Sequence, residues 1–472
     1  MNQSFISRSQ HSRLILIFLG WGMDATPFAH LSKPGYDIMA LWDYTDYTGC
    51  NPNVEFEQLQ SSIDGYREIV VVAWSFGVRI ASDFLNHAKP LPVTRAIAVN
   101  GTEQHIHDTL GIPCAIAHGT LRNLSETSVR KFRRRMFASA SDFSLFQQDS
   151  PQRSFDSLRN ELATFIALPT VTSPAQWERA VIGGADAIFP PGNQKDAWGG
   201  TPVDVIANMP HYPDFQQILS KYIIDKELVA RRFTQSSETY SANATPQQKV
   251  AAHLWELTSA LIPQHERPLE IIEIGAGCGT LTSLYIESLK NNHIRLWDIA
   301  QTTPDNNIAQ NAISECCDAE VAIRSVATSS VDAILSSSTL QWFNSPAAFI
   351  GEISRVLKPG GIAALAFYTV GTYAEIEQAT GTGLKYPSLE HLCSIAGSHG
   401  LNLLHKEENA TTLNFPSMPR LLQHIRDTGV NAITSESSPV SALRIMRRYR
   451  LLDNGTAPLT YCPAYLILTK PL

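Results

Sequence analysis

The sequence predicts an α/β protein made of two consecutive units, each a mostly parallel sheet flanked by helices, with a helical cap set into the first. Three observations lead there. Short β-branched runs alternate with helical patterns along the 472 residues, the rhythm of βαβ units. Between Gly119 and Thr170 that rhythm gives way to polar, basic, helical sequence. A second strand-and-helix series then starts near Arg267.

Taken in order, the expected strands of the first unit are Leu14–Leu19, Tyr36–Leu41, Ile69–Trp74, Arg95–Val99, Ala180–Gly183 and Val203–Ala207. Those of the second are Glu270–Ile274, Ile294–Asp298, Val331–Ser336 and Ile362–Phe367, with Tyr465–Leu468 near the end. The join falls around Ser220–Arg232, where no Gly/Ser-rich linker occurs, so the expected domains are residues 1–221, capped at about 119–170, and 222–472.

Composition narrows the function. A net charge of −7 spread thinly along the chain gives no nucleic-acid preference. No stretch approaches the roughly 20 apolar residues of a membrane span. The run Leu14–Leu19 is too short for a secretory leader, which points to a cytoplasmic protein. The 7 cysteines are odd in number and lack paired CxxC spacing, which favours reduced thiols over disulfides or a zinc site.

At Ala73-Trp74-Ser75-Phe76-Gly77 a β-branched strand runs into a helix through a serine flanked by small residues, close to the G-x-S-x-G nucleophile elbow. The plain alternative is a helix N-cap, where serine is also favoured. Gly20-Trp21-Gly22 ends the first strand, and the N–H of Trp21 with that of Phe76 would form a two-donor oxyanion hole. A serine nucleophile needs a base and an orienting acid. Asp186 lies in the loop after one strand and His211 in the loop after the next. Rival histidines are His118 and the His105/His107 pair. That pair has metal-ligand spacing but no evident further ligand, and reads as a solvated loop.

"LEIIEIGAGCGTLT" repeats the strand-then-turn logic with other chemistry. Gly275, Gly277 and Gly279 follow an apolar strand that carries Glu273. Glycines there let backbone approach a ligand closely. A dinucleotide fingerprint would read G-x-G-x-x-G/A, and Thr280 stands at its last position.

The segments "LGWGMD", "AWSFGVRIA", "AVNGT", "DAIFPPGNQKDAW" and "HYP" resemble the pimeloyl-ACP methyl ester carboxylesterases of biotin synthesis. That resemblance spans roughly the first 215 residues. It implies an α/β-hydrolase fold in which Ser75 attacks the ester, His211 serves as base then acid, Asp186 holds the imidazole, and Trp21 and Phe76 supply the oxyanion donors. The basic helix "VRKFRRRMF", with Arg130, Arg133 and Arg134, would then meet the acidic acyl carrier protein; a merely solvated face is the alternative. Phe132, Met136, Phe137 and Phe143 would feed an apolar acyl channel beneath the cap.

The E-x-G-x-G-x-G form resembles the first motif of class I S-adenosylmethionine-dependent methyltransferases, which implies a Rossmann-like fold. The entry segment "RRFTQSSETYSANATPQQKVA", the "STLQWF" loop and the closing "APLTYCPAYLIL" are similar to malonyl-ACP O-methyltransferase. The resemblance implies Asp298 at the ribose, Asp318 at the adenine, Tyr240 at the lid or acceptor, and Gln341 with Trp342 on the acceptor side. Serines (Ser336, Ser337, Ser338) stand where the family carries Asn, and no arginine is assignable as a carboxylate clamp. No catalytic base is needed, because a carboxylate is already ionised near neutrality and positioning does the rest. The competing readings are a broad carboxylesterase joined to a small-molecule methyltransferase, and a chain with one half serving only as a carrier-docking scaffold.

Overall fold

The computed structural model describes residues 1–87, 91–263, 266–302, 306–380, 383–428 and 448–472. The chain divides into two compact units, Met1–Ser220 and Lys221–Leu472, and the division falls within the helix Phe215–Tyr222.

The first unit is a seven-stranded sheet ordered β1-β3-β2-β4-β5-β6-β7. Its strands are β1 (Asn2–Ser7), β2 (Arg13–Phe18), β3 (Asp37–Trp42), β4 (Glu68–Trp74), β5 (Val93–Val99), β6 (Arg179–Gly183) and β7 (Val203–Ile206). β1 pairs antiparallel with β3, and every other pairing is parallel. β4 is buried along its whole length, which is why it reads as an unbroken Ile-Val-Val-Val run rather than an alternation. The cap lies between β5 and β6 as helices Cys114–Arg122, Glu126–Arg135, Ala140–Gln148 and Phe155–Ala167. Ser125 opens the second of these by accepting from the Ser128 N–H at 3.2 Å, and three arginines close its last turn, where the helix dipole favours cations.

The second unit is a seven-stranded sheet ordered β10-β9-β8-β11-β12-β16-β13 beside a two-stranded β14-β15 pair. These are β8 (Glu270–Ile274), β9 (His293–Asp298), β10 (Ile313–Cys316), β11 (Val331–Ser337), β12 (Leu357–Tyr368), β13 (Asn402–Glu408), β14 (Thr411–Phe415), β15 (Ala457–Tyr461) and β16 (Pro463–Thr469). β16 runs antiparallel between β12 and β13.

In both sheets the strand order reverses beside the strand that precedes a glycine turn. β2 has β3 on one side and β4 on the other, and β8 likewise has β9 and β11. Loops leaving the two strands at such a point diverge and open a crevice above their carboxyl ends.

Candidate active sites

In the first unit, Gly20–Gly22 leaves β2 and Ser75 leaves β4, so both stand at the reversal point. Ser75 has φ +56°, the left-handed conformation a sharp strand-to-helix corner demands of a side-chain-bearing residue. The corner closes only because its neighbours are glycine. A Cβ on Gly77 would lie 2.3 Å from the Phe18 carbonyl oxygen, and one on Gly20 would lie 2.9 Å from the Ser75 Cβ.

Ser75 Oγ lies 3.1 Å from His211 Nε2, and His211 Nδ1 lies 2.9 Å from Asp186 Oδ2. All three are buried. Asp186 accepts only, so Nδ1 carries the proton and Nε2 is left to accept from the serine hydroxyl. The second Asp186 oxygen accepts from the Ile188 and Phe189 N–H groups, each at 2.8 Å, and Gln194 Nε2 approaches Oδ2 at 3.2 Å. The His211 carbonyl receives the Trp74 indole at 2.8 Å and Asn100 Nδ2 at 2.9 Å, which ties the histidine loop to the ends of β4 and β5.

Above the serine, the backbone N–H groups of Trp21 and Phe76 make no hydrogen bond among the described residues. The Trp21 indole N–H donates to the Leu158 carbonyl at 2.8 Å, so an oxyanion role for Trp21 falls to its backbone. Glu161 on the same cap helix accepts from the Gly22 N–H at 2.9 Å and the Tyr44 N–H at 3.0 Å, and pairs with Arg153 at 3.3 Å. Burial raises the Glu161 carboxyl above its ordinary range, opposed by Arg153 and those two N–H donors. The cap helix therefore holds the donor corner in place.

Other expectations change with tertiary packing. His105 is not solvated: it is buried, bonded to the Phe165 carbonyl at 2.8 Å, and burial pulls it down to about 4. His107 accepts from the Thr109 and Leu110 N–H groups of its own turn. On the basic helix Arg130 and Lys131 are exposed. Arg133 is partly buried near Asp24, and Arg134 donates to the Phe137 carbonyl at 2.9 Å. Of the expected channel residues, Phe132 packs on Trp21 with ring centroids 4.9 Å apart, and Met136 is fully in the core. Phe137 does line a groove, shared with Phe146, Leu145, Tyr212 and Met209. Phe143 packs behind it at 5.9 Å.

In the second unit, Gly275, Gly277 and Gly279 all have positive φ (+71°, +54° and +87°); Gly275 and Gly277 line one cavity, and Gly277 and Gly279 line a smaller one beside it. A Cβ on Gly277 would meet only Asp298 Oδ2, at 3.9 Å, so its face toward the cavity is open backbone. Glu273 sits beneath the loop and accepts from Thr282 at 2.8 Å and Tyr285 at 2.5 Å. Burial raises it to about 7, moderated by those two donors. Asp298 accepts from the Gly277 and Ala300 N–H groups, each at 2.7 Å, and burial raises its carboxyl.

Asp318 caps the short helix Ala319–Ala322 and is reached by Lys226 at 3.4 Å, which also contacts Glu320 at 2.7 Å. Asp318, Asp298, Tyr240 and Trp342 share the cavity wall, and Phe233 packs against both Tyr240 and Trp342. Gln341 departs from expectation. Its Nε2 donates to the Ser338 carbonyl at 2.6 Å and its Oε1 accepts from the Tyr368 N–H at 3.3 Å, so it braces the loop and is not on this wall. Lys226, Glu161, Asn100 and Gln194 had no sequence signal beyond their polarity. Asn100 alone follows a strand end, at φ +46°. Among the described residues no group of three or more His, Cys, Asp or Glu is placed to hold a metal ion, and no helix is long and apolar enough to cross a membrane.

Residues 1–215 match the family model described as pimeloyl-ACP methyl esterase BioG, and residues 272–365 match a methyltransferase domain. A malonyl-[acyl-carrier protein] O-methyltransferase of Bacteroides fragilis is 35% identical over 471 residues, covering 97% of this chain and 92% of that one. The protein of that name from Chlorobium phaeovibrioides is 34% identical over 262 residues, 52% of this chain and 97% of its own. The crystal structure of BioG from Haemophilus influenzae shares 31% identity and covers 45% of this chain and 94% of its own, with a TM-score of 0.39.

Proposed function

The chain belongs to the malonyl-[acyl-carrier protein] O-methyltransferase family, as a member in which a BioG domain precedes a methyltransferase domain, and from that membership we propose two linked activities. The second unit, with its Rossmann-like methyltransferase fold, methylates the free carboxylate of malonyl carried on acyl carrier protein. The first unit, read as a capped α/β-hydrolase, cleaves pimeloyl-carrier methyl ester to the acid and methanol. The observation that carries the esterase reading is the hydrogen-bonded chain from Ser75 through His211 to Asp186.

Its chemistry follows from that chain. Ser75 gives its proton to His211 Nε2 as Oγ attacks the ester carbonyl. The oxyanion forms between the backbone N–H groups of Trp21 and Phe76, donors already fixed before reaction. His211 returns the proton to the departing methoxide, then draws one from water, which releases the acid and restores Ser75. Asp186 stabilises the imidazolium throughout.

The residues of the second cavity fit S-adenosylmethionine, which supplies a methyl group on a sulfonium. Open glycine backbone at Gly277 admits close approach, Asp298 presents a carboxylate to ribose hydroxyls, and Asp318 offers an acceptor to an adenine amino group. Trp342 and Phe233 add apolar surface to the wall of that cavity. Partner recognition by charge fits the exposed Arg130 and Lys131, since the carrier is acidic.

Mass spectrometry tests both halves. Malonyl-carrier incubated with S-adenosylmethionine should gain one methyl group, and pimeloyl-carrier methyl ester given the protein alone should lose one. Methylation of free acids in preference to carrier-bound malonate would favour a small-molecule methyltransferase instead. A Ser75→Ala chain that hydrolyses ester at the wild-type rate would reduce the first unit to a scaffold.

A further inference from the structure

We propose that Gln247, with the phenol of Tyr240 beside it, binds the α-carboxylate on the amino-acid arm of S-adenosylmethionine. This rests on the cofactor reading of the second cavity.

The starting observation is a side-chain amide without partners. Gln247 is 3% exposed and lines the cavity that Gly275 and Gly277 line, and neither end of its amide makes a hydrogen bond among the described residues. Buried polar groups are nearly always satisfied, so an orphan requires an explanation. Its Oε1 is sealed within the protein, which leaves the NH2 end as the one a bound molecule can meet. Tyr240 lines the same cavity, and its hydroxyl makes no hydrogen bond among the described residues either. Burial raises that phenol above its ordinary value, so it stays a donor at any working pH.

Position says which group these donors meet. One face of the helix Lys226–Asn243 runs along the cavity, with Lys226, Val229, Phe233, Ser237 and Tyr240 lining it at helical spacing. Lys226 touches Asp318, the expected adenine acceptor, at 3.4 Å. Tyr240 lies about 21 Å further along the axis, at about 1.5 Å per residue, and the charge of Asp298 still raises its phenol. The Tyr240 carbonyl accepts from the Ala244 N–H at 2.8 Å, and Ala244 is also the N-cap of the helix Thr245–Thr258. Gln247 therefore stands in the first turn of that second helix, just past Tyr240. A cofactor with its base at Asp318 and its ribose at Asp298 extends its amino-acid arm toward this pair.

The chemistry agrees with the placement. A carboxylate only accepts, and these side chains present an NH2 and an OH. The start of the helix Thr245–Thr258 adds first-turn N–H groups without intrahelical acceptors, and the dipole there favours an anion. Among the described lining residues there is no arginine, and the lysine, Lys226, contacts Asp318 and Glu320. Neutral donors thus hold the anionic end of the cofactor. Anchoring that arm restrains the sulfonium attached to it, which a transfer that relies on positioning needs.

The test titrates two nucleosides calorimetrically into full-length wild-type, Gln247→Leu, Gln247→Glu and Tyr240→Phe proteins. S-adenosylhomocysteine carries the amino-acid arm, and 5′-methylthioadenosine lacks it. Gln247→Leu should bind S-adenosylhomocysteine about 10-fold or more weakly, the worth of a hydrogen bond to a charged group. Gln247→Glu should bind it more weakly still, because two carboxylates then meet. Tyr240→Phe should lose about 10-fold, and affinity for 5′-methylthioadenosine should stay within about 2-fold throughout. Unchanged S-adenosylhomocysteine affinity in Gln247→Leu overturns the assignment and leaves the cofactor site standing. An equal loss of both nucleosides overturns it too, as a general collapse of the cavity. A loss confined to KM for malonyl-carrier gives these donors to the acceptor's carboxylate instead, and likewise overturns it. Should Gln247→Leu fail to fold, the more conservative Tyr240→Phe decides by the same comparison. A wild-type chain that binds neither nucleoside removes the cofactor reading and this assignment with it.

Discussion

Replacing Asp186 with Asn changes no volume and inverts one hydrogen bond, which makes it the sharpest probe of the first site. In the wild type one carboxylate oxygen accepts from the Ile188 and Phe189 N–H groups, and the other accepts from His211 Nδ1 and Gln194 Nε2. The new amide has one acceptor and one donor end, so one pair of neighbours must lose. If the oxygen stays on the two backbone N–H groups, the NH2 faces His211 and can only donate to Nδ1. The ring is then forced into the tautomer whose Nε2 bears the proton and cannot take one from Ser75. If the amide flips, two buried backbone donors are stranded at about 1–3 kcal/mol each. The wrong tautomer therefore prevails, because the unflipped amide costs Gln194 only its longer contact while its bond to the Phe189 carbonyl at 2.9 Å remains. The same substitution in a Ser-His-Asp protease lowers turnover by about 10⁴, or roughly 5 kcal/mol. Hydrolysis of a chromogenic butyrate ester, followed at pH 7.5 and paired with a thermal melt, is the assay. A loss in kcat of about 10³ or more with KM little changed is expected. A loss below about 10-fold in a folded variant would refute the roles given to Asp186 and His211.

Other perturbations address separate parts of the molecule. Glu161→Gln leaves either the Gly22 or the Tyr44 N–H facing an amide donor and weakens the buried pair with Arg153. Ester turnover should fall at least about 10-fold with KM within about 3-fold, and a change in KM alone would contradict the positioning role. Gly277→Ala puts a methyl group into the cradle at φ +54°, at a backbone cost of about 1–2 kcal/mol; calorimetry should show S-adenosylmethionine binding weakened about 10-fold or more with the fold intact.

Glu273 is raised from 4.5 to about 7, so the folded second unit favours its protonated form. That stability is complete below about pH 4.5 and is lost as pH rises toward 7, by about 3 kcal/mol. Melts of Glu273→Gln should lack this decline, and an identical pH profile would exclude Glu273 as its source. Neutralising exposed Arg130 and Lys131 together should raise KM for carrier-bound ester several-fold, more at low salt, and leave a free small ester unaffected. Equal effects on both substrates would remove the docking role.

Much of this protein could be read locally. Strands buried on both faces announce themselves as unbroken apolar runs, so β4 and β8 were evident, as were the turns that follow them. The polar edge strands β1 and β13 carry no such run and were missed. Ser75, Asp186 and His211 each sit in a turn that leaves a strand, and a parallel sheet delivers all such turns to one edge. Their candidacy was therefore legible although they lie far apart in sequence.

What tertiary structure alone decided were the partners reached across the fold. Glu161 under Gly22, Asn100 on the His211 carbonyl, and Lys226 beside Asp318 arise from packing between elements. So does the withdrawal of His105 into the core and of Gln341 onto its own loop. The physical reason is range. Backbone conformation and periodicity are set within a turn or two of chain, whereas the satisfaction of a buried polar group depends on whichever element the packed core brings against it.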